Sequence, residues 1–161
     1  MKIESISHKG DFRIVQNGMK ITELNYKNWF GSKAGTRYKS QDIEIVQKNM
    51  WCHTFRIFKN KVESGTIGFN WKGRGEIRLM DENSEELLLT MKARGIWKSG
   101  FEIINEHGEP VLRLNAKFNW RKFSHDYHIE KGPGALPIDE HELLLYCGFA
   151  AHQYLAMMSA V

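Results

Sequence analysis

Ser124-His125-Asp126-Tyr127-His128 is the densest run of side chains able to bind a metal or move a proton, and Cys52-His53 is a second small group of that kind. What these residues can do depends on the element that carries them. On a strand, residues three apart point to opposite faces, so His125 and His128 do not share one ion. No second CxxC or HxxxH completes a ligand set, and no metal and no cofactor are expected. Ser124, His125 and Asp126 are not a catalytic triad by adjacency, because a triad is a geometry and not a neighbourhood in sequence. His152 is expected to be a buried imidazole bonded to a strand carbonyl or to the neighbours of Gln153.

Gly31-Ser32-Lys33-Ala34-Gly35-Thr36 has a phosphate-loop flavour, but the order of glycine and lysine is wrong and no helix follows. Three Trp-basic pairs are more suggestive: Trp71-Lys72, Trp97-Lys98 and Trp120-Arg121. Trp among cations suits base stacking or a lipid interface. Alternation argues for the core instead, since Trp71 is in phase with Ile67 and Phe69, and Trp120 with Leu114 and Phe118. The cations then point outward. Lys72, Arg74, Lys92, Arg94, Lys98, Lys117, Arg121 and Lys122 are the candidate ligand-binding residues, their plainer reading being an ordinary solvated face.

The 161 residues, 42% hydrophobic and 12% aromatic, suit one folded domain spanning 1–161 with a respectable core. The formal net charge of +4 is consistent with an anionic partner. Cys52 and Cys147 make no disulfide framework, and Cys147 reads as a small buried hydrophobe. Met1-Lys2-Ile3-Glu4-Ser5-Ile6 lacks the apolar core of a signal peptide, so a cytoplasmic location is the expectation.

The elements that must position these residues are mostly strands. Leu112, Leu114, Ala116, Phe118 and Trp120 alternate with Arg113, Asn115, Lys117, Asn119 and Arg121, the period of a strand with one buried face. Leu87, Leu89 and Met91 alternate in the same way, as do Ile67 and Phe69, and Ile43 and Ile45. Asn17-Gly18, Asp81 to Ser84 and Asn105 to Gly108 are turn signals. Twelve strands are predicted, near 3–8, 12–16, 19–26, 34–39, 42–47, 51–58, 65–71, 75–80, 86–93, 96–104, 110–120 and 122–129. A weak repeat relates Ile77–Glu85 to Phe101–Glu109, and Phe69-Asn70-Trp71-Lys72 to Phe118-Asn119-Trp120-Arg121, marking successive hairpins of one meander.

Leu143 to Val161 contains no Asp, Glu, Lys or Arg. Asp139 is a fitting N-cap, with Glu142 at capping-box spacing, so a helix is predicted over about 139–160. An all-round apolar helix is buried in protein or in lipid. Gly148 and the mid-segment pair His152-Gln153 favour protein, and the chain is not expected to be transmembrane. A many-stranded antiparallel sheet must cover its apolar face and protect its edges. Wrapping it around this helix does both. The predicted fold is mainly β: a closed antiparallel barrel of about twelve strands around a C-terminal hydrophobic helix.

Over Ile77–Trp97, Phe101–Trp120 and Leu143–Val161 the pattern resembles the tubby C-terminal-like superfamily, in the branch with LURP-one-related proteins and phospholipid scramblases. The resemblance implies the same closed barrel, and some members bind phosphoinositides or act at membranes.

The leading functional expectation is a non-catalytic barrel domain that binds anionic lipid headgroups or another anionic ligand through an outer basic face. The alternative is a structural or protein-interaction module without a small-molecule site, for which edge strands and the aromatic loop of Tyr26, Trp29 and Phe30 are the motive. Nucleic acid is not the expected partner. A pocket with two or more titratable groups of strongly shifted pKa would instead indicate an enzyme.

Overall fold

A computed structural model describes residues 1–28, 32–49, 53–70, 74–80, 84–95 and 100–159. All twelve expected strands are present: β1 (Lys2–Ser5), β2 (Phe12–Gln16), β3 (Met19–Tyr26), β4 (Lys33–Tyr38), β5 (Gln41–Gln47), β6 (Thr54–Lys59), β7 (Val62–Phe69), β8 (Gly75–Met80), β9 (Glu86–Ala93), β10 (Gly100–Ile104), β11 (Pro110–Asn119) and β12 (Ser124–Lys131). One helix, α1 (Glu140–Ser159), follows. Each strand pairs antiparallel with its neighbours in sequence, and β1 closes the ring on β12 through Lys2↔His128 and Ile3↔Tyr127. Closure removes the free edges that a lysine-lined edge strand would otherwise have to protect, and with them the edge-strand motive for a protein-interaction module.

An up-and-down ring places its connections alternately at two rims. The lower rim carries tight hairpins. Asn17, Lys39-Ser40 and Asn60-Lys61 all have positive φ, the left-handed turn whose twist matches the flanking strands. Bulges interrupt the register at Ile14/Val15, Ile57/Phe58 and Ile103/Ile104, each close to a lower-rim hairpin. Such bulges sharpen strand twist where the wall must curve. The upper rim carries the β1–β2, β3–β4, β5–β6, β7–β8, β9–β10 and β11–β12 connections. β1 stops at Ser5, short of its predicted end, because the Ile6 N–H donates to the Asp11 carbonyl at 2.8 Å and starts the upper-rim loop.

The helix starts at the lower rim. Asp139 caps it as expected: Oδ1 accepts from the N–H groups of His141 and Glu142, both at 3.1 Å. The capping box is not completed. Glu142 turns inward, where its Oε1 accepts from the Tyr146 hydroxyl at 2.8 Å and pairs with Lys59. From Glu142 to Ala151 every residue is buried, which is why this stretch is apolar on all sides. Tyr26 stacks on Phe149 with centroids 5.6 Å apart, and Phe55 meets the same ring edge-on at 4.9 Å. Beyond Ala151 the helix emerges at the upper rim and becomes partly exposed. Among the described residues no helix is long and apolar enough to cross a membrane.

Two sequence expectations need correction. Trp120 is not in the core but 76% exposed, and its phase-mate Phe118 is 38% exposed. The alternation of β11 is real, with Leu112 and Leu114 fully buried, but the strand outruns the core: its last residues stand at the upper rim with little to cover them. Tyr26, grouped with Trp29 and Phe30 as an aromatic loop, ends β3 as a buried core residue. Trp29, Phe30, Trp71 and Trp97 lie outside the described residues.

Candidate functional site at the upper rim

Of the eight candidate cations, Lys72 and Lys98 lie outside the described residues. The other six all belong to the upper half of the barrel. Arg74 is in the β7–β8 connection, immediately before the Gly75↔Met91 pair. Lys92 pairs in register with Glu102, which in turn accepts from Arg113 Nε at 2.9 Å. The Arg94 N–H donates to the Gly100 carbonyl, and its Nη1 donates to Asn115 Oδ1 at 3.3 Å. Lys117 lies two residues beyond Asn115 on the same outer face of β11, and Arg121 and Lys122 form the β11–β12 turn. The six described residues therefore form an arc rather than one compact pocket, densest around the β11–β12 hairpin.

None of these six makes an ion pair among the described residues, whereas cations elsewhere on the wall commonly do, as in Lys27–Glu44, Arg78–Glu86 and Arg113–Glu102. Even Asp126, the register partner of Lys117, is engaged otherwise: it accepts from the Ser5 N–H at 2.8 Å and from Asn119 Nδ2 at 3.0 Å. Among the described residues, no carboxylate is paired with the cations of the arc.

Apolar groups stand between these charges. Phe123 is 77% exposed and Met158 of the emerging helix 57%. An aromatic ladder climbs the wall: His125 is 6.4 Å from Tyr127, Phe118 5.2 Å from His125, and Trp120 4.7 Å from Phe118. The sequence carries a signal for this feature, Trp120 and Phe123 around Arg121-Lys122, but strand phase alone assigns Trp120 and Phe118 to the core and does not single out Phe123.

Beneath the ladder is a cavity of about 260 Å³ between α1, the β1–β2 loop and the β11–β12 hairpin. It reaches inward to Ile3 and Phe12 and opens past Phe118, Phe123 and Ala156. His152 closes one side. It hydrogen-bonds the Lys9 backbone carbonyl, a loop carbonyl rather than the expected strand carbonyl, and packs over Gly10, whose φ of 107° and lack of a side chain both make room for the ring. Burial holds the His152 pKa below the usual imidazole value, against the pull of Asp11 and the Lys9 carbonyl. His125 is lowered as well, chiefly by burial, and burial raises the Tyr127 phenol. Asp11 is committed to the fold, accepting from the Tyr26 N–H and the Ser7 hydroxyl, both at 2.7 Å.

Two imidazoles and a phenol with shifted pKa values thus share one cavity, but only the phenol is strongly shifted, one group short of the two set above for an enzyme. Each shift favours the neutral form. Among the described residues no serine hydroxyl is shown bonded to the His125 or His152 ring. His125 and His128 point to opposite faces, as the strand reading requires, and no group of three or more His, Cys, Asp or Glu among the described residues is placed to hold a metal. Cys147 is buried in α1, and Cys52 lies outside the described residues. The loop-like stretch after Gly31 contributes Lys33 to Thr36 to β4. No family model, curated protein or solved structure matches this chain.

Proposed function

We propose that this is a peripheral membrane-binding barrel that docks on anionic lipid surfaces through its upper rim. One observation carries the reading: exposed Trp120 and Phe123 flank Arg121 and Lys122 in a single turn, and neither cation has an ion-pair partner among the described residues. Aromatic rings settle at the headgroup level of a bilayer, and each Lys or Arg near an anionic surface contributes about 1 kcal/mol of attraction. Lys117 and Arg94 extend the charge along the wall, with Lys92 and Arg74 farther round. The helix supplies Met158 at the same rim. We also infer membership in the tubby C-terminal-like superfamily; a closed twelve-strand ring around one helix supports it.

Sedimentation with phosphatidylcholine vesicles, with and without phosphatidylserine, tests the docking. The protein should pellet with anionic vesicles at low salt, be released at high salt, and stay in solution with phosphatidylcholine alone. The double change Arg121→Glu and Lys122→Glu should weaken the interaction by about tenfold or more. Absence of pelleting on anionic vesicles at low salt would remove the proposal and leave the protein-interaction reading, for which a stable partner recovered without lipid would speak.

A further inference from the structure

We propose that the cavity beside α1 is a binding site for a single-chain anionic amphiphile, the chain lying in the cavity and the anionic head meeting Arg121 and Lys122; the head-group half of this inference rests on the membrane reading above. The cavity of about 260 Å³ is lined both by the core residues Ile3 and Phe12 and by the exposed Phe118, Phe123 and Ala156, so it runs from solvent to the core. A site that runs from surface to core suits an extended chain better than a compact polar metabolite.

The walls support the same choice. Much of the polar lining is already satisfied by the protein: Asp11 by Tyr26 and Ser7, the Ser5 N–H by Asp126, and His152 by the Lys9 carbonyl. A chain entering the cavity therefore leaves these groups paired, which removes the main cost of placing hydrocarbon beside polar atoms. His125 is the exception. Its ring packs against Phe118 and makes no hydrogen bond among the described residues, so it can bond the first polar atom of the ligand below the rim. Burial favours neutral rings at His125 and His152, so neither of these two places an imidazolium against a hydrocarbon chain.

The mouth selects the head. Phe123 lines the cavity while being 77% exposed, and the two residues before it in the turn are Lys122 and Arg121. An exposed aromatic at a cavity mouth, next to cations without ion pairs among the described residues, matches an acyl chain joined to a carboxylate or phosphate.

Titration calorimetry of the full chain below the micellar concentrations tests the site with laurate, lauroyl lysophosphatidate, lauroyl lysophosphatidylcholine and inorganic phosphate. Laurate and lauroyl lysophosphatidate should bind at one per chain, and the zwitterionic lipid and free phosphate about tenfold or more weaker. Ala156→Trp places a ring from an exposed helix position into the opening and should reduce laurate affinity about tenfold or more with an unchanged unfolding midpoint; Ala156→Leu is the milder form should the larger change disturb folding. Equal laurate binding by the native chain and both variants would overturn the site, and equal binding of the zwitterionic lipid would overturn the anionic selectivity. Vesicle pelleting, read in parallel, separates the two readings. Laurate binding without pelleting refutes membrane docking and keeps the cavity; pelleting without laurate binding refutes the cavity alone.

Discussion

Gly148 of the helix lies so close to the Phe12 ring of β2 that a methyl group at position 148 would stand 2.6 Å from Phe12 Cζ. The same methyl would be 3.2 Å from Ile3 Cδ1. Glycine thus sets the distance between helix and wall. Two effects compete in Gly148→Ala. Alanine favours the helix by about 1 kcal/mol, while driving a methyl into the buried Phe12 ring costs about 1–3 kcal/mol. Both contacting side chains are buried, so the second effect should win. Urea denaturation should show a net loss of about 1 kcal/mol or more; a gain would mean that the ring moves aside freely.

Asp139 joins the helix cap to the lower rim. Burial alone would raise its pKa, but the Lys39 ammonium at 2.6 Å, the Glu142 N–H and the Tyr38 hydroxyl together hold it at about 2. The unfolded value is about 3.9, so the ionised form stabilises the fold above roughly pH 4, and this contribution fades as pH falls toward 2. Asp139→Ala should cost about 1–2 kcal/mol at pH 7 through the lost cap. Asp139→Asn should retain most of the cap and flatten the acid limb of the stability–pH profile. A native-like acid limb in the Asn variant would contradict the assignment.

Leu145 is fully buried midway along the enclosed part of the helix. Leu145→Asp puts a charge where no partner waits and should cost several kcal/mol, much of the stability of a small domain. Truncation after residue 138 removes the whole filling of the barrel and should yield aggregated or uncooperatively melting protein. A monomeric truncated form with a sharp thermal transition would refute the central role of α1.

Trp120→Ala and Phe123→Ala test the rim without touching the core. Both rings are mostly exposed, so stability should change by no more than about 0.5 kcal/mol. Pelleting with anionic vesicles should nevertheless drop severalfold. If adsorption is unchanged while Arg121→Glu abolishes it, binding is purely electrostatic and the rings do not enter the interface.

The architecture was legible because a single physical demand runs through the sequence. Leu112 and Leu114 alternate toward an apolar interior, and Leu143 to Ala151 offers no polar side to water, so one surface must enclose the other. The rim was less legible. Phase in β11 describes which way Trp120 points but not whether anything stands opposite it, and coverage is a tertiary property. The Glu142 position shows a similar limit: spacing suggested a capping box, but the Lys59 ammonium and Tyr146 hydroxyl draw the carboxylate inward. The cavity had no sequence signature, since Ile3, Phe12, His125 and His152 meet only when the ring closes.

Ring closure also orders events in time. β1 finds its second partner, β12, more than a hundred residues later, and the helix that fills the ring follows β12. At a synthesis rate of about 5–20 residues per second, the first strands wait on the order of ten seconds for the rest of the fold. Local hairpins such as that at Asn17-Gly18 can form during this interval, but their apolar faces lack the helix that will cover them. Folding should therefore be late and cooperative, limited by the long-range closure, and the nascent chain should be most prone to aggregate just before α1 appears.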